Sequence, residues 1–261
     1  MKNRTLLFGE GLFETFRVYP GRKLPFVDEH LARMADGCRF FSLPFSREEA
    51  KETLKSALAE IPPEIEARLR LNLISYGNQR AEKTAFQTAW EPLQEMATWD
   101  SEEVKLCVAP FQRFSLSPVV RFKTTSYLEN IFVFSWAREQ GFFDALFTNE
   151  RREITEGSIS NMFFLRQDEI LTPPLNAGLL PGITRKQIIE VVGTMDCSVV
   201  ERTIKLSDLE RFDGAFVTNA IVEILPVHMI NDTKYEISEI IDALRDGYRE
   251  RVEASLFPPI R

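Results

Sequence analysis

Apolar and polar residues alternate through 6–19, around Phe8, Leu12, Phe13, Phe16 and Val18, before Pro20-Gly21 marks a turn and LPFV resumes at 24. This period of two predicts a half-buried strand running into a hairpin. On such a strand Phe13, Thr15 and Arg17 share one face, and Glu14, Phe16 and Val18 the other. A helical rhythm follows, with Leu31, Met34, Ala35, Cys38 and Phe41 as its apolar stripe and Asp28 as the expected cap. Arg33 lies off that stripe and by periodicity alone is a surface charge. Ser46 and Glu49 form a capping box for a second helix, which carries Ala50, Leu54, Ala57, Leu58 and Ile61 and ends at Pro62-Pro63. Residues 67–75, 84–90 and 103–109 return to alternation, as expected of sheets with one wet face.

Between Pro110 and Pro118 the rhythm lapses into PFQRFSLSP, which marks 110–118 as the expected linker between an N-terminal domain (1–109) and a C-terminal one (119–261). Beyond it the pattern predicts a helix over 125–140 and strands at 144–148, 161–166 and 169–172. A helix over 184–195, a strand at 198–204, a short acidic helix at 207–211, strands at 214–218 and 226–230 and an amphipathic helix at 237–255 follow. No internal repeat or low-complexity segment interrupts the chain. The fold class expected is mixed, α/β with α+β, in two domains.

The 261 residues suffice for a sizeable core, and 44% hydrophobic with 27% charged residues describes an ordinary globular chain. A net charge of −7 argues against a nucleic-acid partner. No apolar run approaches the roughly 20 residues of a membrane span, and MKNRTLLFGEG lacks a signal-peptide core. Cys38, Cys107 and Cys197 are too scattered for a disulfide framework, so a cytoplasmic location is expected. His30 and His228, without CxxC or HExxH spacing, give no zinc site.

Candidate chemistry is concentrated between Arg121 and Arg185, in RFKTTSYLEN, TEGSISNMFF and LLPGITRKQII. Alone, Lys123 is a surface lysine, Glu156 an exposed carboxylate at a turn, and Gly182-Ile183-Thr184-Arg185 the opening of a helix. Together they describe an amine, a carboxylate and a set of unpaired N–H groups suited to a phosphate. With GEGLFETFRV at 9–18, EHLAR at 29–33, LTPPL at 171–175 and TNAIVEILPV at 218–227, seven segments in order, the chain resembles the fold type IV pyridoxal-phosphate (PLP) enzymes. That family includes branched-chain aminotransferases, D-amino acid aminotransferases and 4-amino-4-deoxychorismate lyases.

The resemblance implies a D-amino acid aminotransferase-like fold of two domains with pyridoxal 5'-phosphate between them, and a homodimer acting on a small molecule. It implies Lys123 as the Schiff-base lysine, Glu156 as the partner of the pyridine nitrogen and Arg33 as a phosphate ligand. Ile183 and Thr184 would bind phosphate through backbone N–H groups. Ala220 and Ile221 would do the same in a second loop, where neither residue offers the hydroxyl other members have. Tyr127 would either hydrogen-bond the ring oxygen or pack. The family usually opens with an extra hairpin before the GEGLFE segment, so a trimmed N-terminal sheet is expected.

Within the family, short strings divide the reactions. D-amino acid enzymes carry Arg-x-His in the loop corresponding to SYGNQRAEK, and a tyrosine at the position of Phe13; branched-chain enzymes typically have glycine at Thr15. FET and TNA look closer to the lyases. The first expectation is a lyase forming 4-aminobenzoate and pyruvate, with Lys123 as base, Thr15 as proton donor to the departing enol, and Phe13, Arg17 and Arg80 at the substrate. The second is an aminotransferase using 2-oxoglutarate. A non-catalytic binding protein is disfavoured by the presence of both Lys123 and Glu156.

Overall fold

The computed structural model describes residues 1–93, 103–195 and 197–256. They form two compact units. The described parts of Met1–Ala97, Phe122–Tyr127 and Val252–Arg261 make the first, and those of Thr98–Arg121 and Leu128–Arg251 the second.

In the first unit β1 (Lys2–Asn3), β2 (Gly11–Val18) and β4 (Lys83–Pro92) each pair antiparallel with β3 (Ala67–Gly77). Alternation along β2 and β3 puts Leu12, Phe16 and Val18 with Ala67, Leu69, Leu71 and Leu73 in one core. The apolar stripes of α2 (Val27–Phe41) and α3 (Arg47–Glu60) close that core through Leu31, Met34, Cys38, Ala50, Leu54, Ala57 and Leu58. The opposite face carries Phe13, Thr15 and Arg17, paired across to Asn72, Arg70 and Arg68. Ser46 caps α3 as its spacing predicts, accepting from Glu49 N at 3.2 Å.

Two local expectations change. Residues 6–8 are not strand: Asn3 accepts from Leu6 N and Gly9 (φ 67°) closes the turn, so Arg4–Phe8 forms a short helix, α1. Asp28 does not cap α2, which starts after Phe26 without a side-chain cap. It lies inside the first turn, pairing with Lys51 at 2.8 Å and Arg47 at 3.3 Å, so it ties α2 to α3 while complementing the helix dipole.

The second unit holds two five-stranded sheets. One is ordered β14 (Thr233–Lys234), β13 (Met229–Ile230), β5 (Lys105–Arg113), β6 (Asp144–Asn149), β7 (Ile154–Gly157). The other is ordered β10 (Ser198–Glu201), β9 (Glu169–Thr172), β8 (Asn161–Arg166), β11 (Gly214–Asn219), β12 (Glu223–Pro226). Helices α4 (Leu128–Glu139), α5 (Ile183–Val192) and α6 (Ile240–Ala254) complete the elements used below. Nearly continuous apolar runs in β6, β8 and β11 fit strands buried on both faces. The fold is mixed α/β. No helix among the described residues is long and apolar enough to cross a membrane.

The segment expected as a linker begins inside a strand. β5 runs to Arg113, paired with Asn149, and its register shifts between Val108 and Gln112. Pro110, which has no N–H to offer a ladder, sits in that irregularity, so the proline interrupts the sequence pattern without ending the strand. Residues 122–127 group with the first unit and run beside β2: Phe13 N donates to Lys123 O at 2.8 Å, and Thr125 N to Gly11 O at 2.9 Å.

Glu14 stands on the core face of β2, with Leu12 and Phe16. Glu14 is 1% exposed. Arg33 of α2 grips both its oxygens, at 2.9 and 2.5 Å, and His30 Nδ1 lies 2.7 Å away. Burial drives the Glu14 carboxyl up, but the Arg33 charge and the His30 hydrogen bond outweigh it and hold the group at about 2, below its ordinary 4.5. A folded-state value below the unfolded one means stability that is full above the unfolded value and lost as pH falls through the folded one. Between pH 4.5 and about 2 the fold should therefore lose about 3 kcal/mol through this group. Urea unfolding of wild type and Glu14→Gln down this range should show the wild-type advantage vanish at the acid end. Curves that stay parallel would contradict the assignment.

Candidate active site

In the first unit, the 122–127 segment is laid against β2 by the backbone bonds above and by Thr125 Oγ1 donating to Gly9 O at 2.7 Å. This fixes Lys123 next to Phe13: its Nζ is 4.6 Å from that ring's centroid and 5.6 Å from that of Tyr127. Phe13 and Tyr127 meet edge to face at 5.0 Å. Phe13 is also stacked by Arg70, whose guanidinium carbon is 3.6 Å from the centroid and whose Nε donates to Asn72 Oδ1 at 2.7 Å. Burial lowers the pKa of Arg70 from its ordinary value; a guanidinium remains charged nonetheless. Half-buried amine, aromatic wall and cation thus share the wet face of the sheet with Thr15, the cross-strand partner of Arg70.

The second unit builds a different group. Glu156 is not at an exposed turn but on β7, 6% exposed. Its Oε2 accepts from Leu180 N at 3.0 Å and Asn161 Nδ2 at 3.3 Å, and its Oε1 from Arg113 at 3.2 Å. Each of these partners can only donate, so the carboxylate must accept from all of them. The turn after it is pinned by Asp144. This buried carboxylate takes hydrogen bonds from Ala145 N at 2.7 Å, Ser158 N at 3.0 Å, Ser160 Oγ at 2.8 Å and the Ser158 hydroxyl. Gly157 is required there, because a Cβ would lie 2.4 Å from Asp144 Oδ2.

Asn161 also reaches α5. It donates to Leu180 O at 3.0 Å, and its Oδ1 occupies the space where a Cβ on Gly182 would stand, 1.9 Å away. Gly182 is the cap residue of α5 and brings no side-chain cap, so the first-turn N–H groups of Ile183 and Thr184 have no capping oxygen. Beside α5, β11 carries Thr218 one residue before its end, and the buried hydroxyl of Thr218 has no hydrogen-bond partner among the described residues. A carboxylate among donors, an uncapped helix start and an orphaned hydroxyl fit a phosphate-bearing pyridine.

The structure places the other expected residues as follows. Ile221 N donates to Asn219 Oδ1 at 2.8 Å, so its N–H is used within the loop and Ala220 sits at the turn between. Arg33 is held by Glu14 as described. Arg17 donates to Glu66 at 2.6 Å, and Arg80 is exposed beyond the end of β3. The sequence pattern passes over Arg70 and Arg113. Arg70 looks like any charge on a wet strand face, and Arg113 lies in the proline-flanked stretch. In the structure each is stacked on a phenylalanine, and Arg113 is also paired with Glu156.

The family model for amino-transferase class IV matches residues 11–230. Among relatives, the chain is 28% identical to the aminodeoxychorismate lyase of Bacillus subtilis (strain 168) over 259 residues, 95% of this chain and 87% of the relative. Its fold is similar to the branched-chain aminotransferase of Thermoproteus uzoniensis solved with norvaline, with a TM-score of 0.88 at 24% identity over 99% of this chain and 93% of that one. It is also similar to a Mycobacterium tuberculosis protein described as a hypothetical aminotransferase in PLP-bound form, with a TM-score of 0.83 at 20% identity over 97% and 92%. The segments around Lys123, Glu156 and Gly182 all lie inside the matched span, and the chain belongs to the class IV amino-transferase family.

Proposed function

We propose that the protein is a PLP-dependent lyase that converts 4-amino-4-deoxychorismate to 4-aminobenzoate and pyruvate. The observation that carries this reading is the pairing of Thr15 with Arg70 on the face where Lys123 meets Phe13. A substrate with two carboxylates and an enol ether asks for a cation and a proton donor beside the base. The relation to an aminodeoxychorismate lyase over 95% of this chain supports it.

When bound, PLP supplies an aldehyde for the substrate's amine and a ring able to hold an electron pair. The residues do the rest. Lys123 Nζ takes the proton from the amine-bearing carbon, in surroundings made apolar by Phe13 and Tyr127. Glu156 holds a proton at the ring nitrogen. Arg70 orients a substrate carboxylate; its stack on Phe13 keeps the guanidinium from turning away. Thr15 Oγ donates a proton to the enolpyruvyl group as its bond to the ring breaks, which leaves the aromatic product and pyruvate. An aminotransferase would use the same base and carboxylate but would need no proton donor at Thr15.

The family resemblance also leads us to read the protein as a homodimer. In support, α4 exposes Leu128, Ile131 and Phe132 on the second unit, an apolar face suited to a second copy. Sedimentation should give twice the chain mass; a stable monomer with full activity would contradict the dimer.

Borohydride should fix a pyridoxyl label on Lys123 and bleach the protein's colour, and a label found on another lysine would remove the base from the scheme. Thr15→Val should lower lyase kcat by about 10²-fold, the scale of a lost general acid, with little change in KM. A change confined to KM would reduce Thr15 to a pocket wall. Arg70→Met should raise KM instead, as expected of a group binding substrate and transition state alike.

A further inference from the structure

We propose that Arg113 is a positioning residue for Glu156: it fixes the carboxylate as an anion and so keeps a proton on the ring nitrogen of a bound pyridine cofactor. This rests on the cofactor reading above. The Arg113 side chain is 4% exposed and lies with its guanidinium carbon 3.5 Å from the Phe147 ring centroid. Its NH1 donates to Glu156 Oε1 at 3.2 Å, its Nε to Glu129 Oε2 at 2.8 Å and its NH2 to Asn130 Oδ1 at 2.6 Å. Asn130 is in turn fixed by donating to Ser158 O at 2.7 Å, two residues beyond Glu156. One flat group therefore binds the start of α4 to β7, and the stack on Phe147 stops it from swinging away.

The charge matters as well as the geometry. In a carboxylate–pyridine hydrogen bond the proton rests on the more basic partner. A permanent cation against the carboxylate makes it the weaker base and leaves the proton on nitrogen. Glu129 is 44% exposed and can be hydrated, whereas the Glu156 side chain is 8% exposed and has the buried Arg113 against it as a counter-charge. Asn161 and Leu180 N hold the other oxygen but bring no charge. Without Arg113 the shared proton should move to Glu156, and the ring would lose its pull on electrons.

The test reconstitutes apo-protein with PLP carrying ¹⁵N at the ring nitrogen, for wild type, Arg113→Gln, Arg113→Lys and Glu129→Gln. In wild type the ¹⁵N shift should be that of a pyridinium. Arg113→Gln, which keeps a donor but no charge, should move it to the neutral pyridine position and weaken PLP binding by about 10-fold or more. Arg113→Lys, which restores the charge, should return the pyridinium signal. Glu129→Gln, at a half-exposed site, removes the anion that competes for Arg113, so more of the positive charge falls on Glu156 and the ring: the signal at low pH should stay that of a pyridinium, and the proton should be lost to solvent at lower pH than in wild type. A pyridinium signal unchanged in Arg113→Gln overturns the proposal, as does a Glu129→Gln titration identical to wild type if Arg113→Gln fails to fold. Wild type that takes up no PLP would instead overturn the cofactor reading itself.

Discussion

A carboxylate withdrawn from water must be surrounded by donors or it will not stay charged. The second unit is arranged around two of them, and β7 with its turn lies between. Asp144 gathers the N–H and hydroxyl groups of 145–160, which sets the turn's shape; Glu156 gathers Arg113, Asn161 and Leu180 N. Because Asn161 also presses on Gly182, the carboxylate and the uncapped start of α5 are positioned by one side chain. Glu156 and the helix start are therefore not independent features.

In the first unit the same problem has another solution. Glu14 turns into the core, and Arg33 and His30 follow it from α2, locking helix to sheet. The reverse face of that sheet is thereby left to Phe13, Thr15, Arg70 and Asn72, with Lys123 held against Phe13. A strand with period two has only these two faces, so committing Glu14 inward is what commits Thr15 outward.

Much of this was legible in the sequence, since strong periodicity survives folding. The helix capped by Ser46 and the strands at 161–166 and 169–172 lie where alternation and capping put them. Failures came where local chemistry overrides rhythm. Asn3 and Gly9 fold 4–8 into a turn of helix despite an alternating pattern, and Pro110 sits in a strand irregularity that reads as a chain break. Among the candidate site residues, Lys123, Glu156 and Gly182 stand out through motif order. Arg70 and Arg113 do not, because their roles rest on partners 57 and 34 residues distant, Phe13 (70 − 13) and Phe147 (147 − 113), which no local pattern encodes.

The proposed reaction is elimination rather than amino-group exchange. The most direct measurement incubates purified, PLP-loaded protein with enzymatically prepared 4-amino-4-deoxychorismate, and separately with amino acids and 2-oxoglutarate, and follows all products. Elimination should give 4-aminobenzoate and pyruvate in equal amounts from the first mixture, over many turnovers. Sustained glutamate formation in the second mixture, with no 4-aminobenzoate in the first, would contradict it.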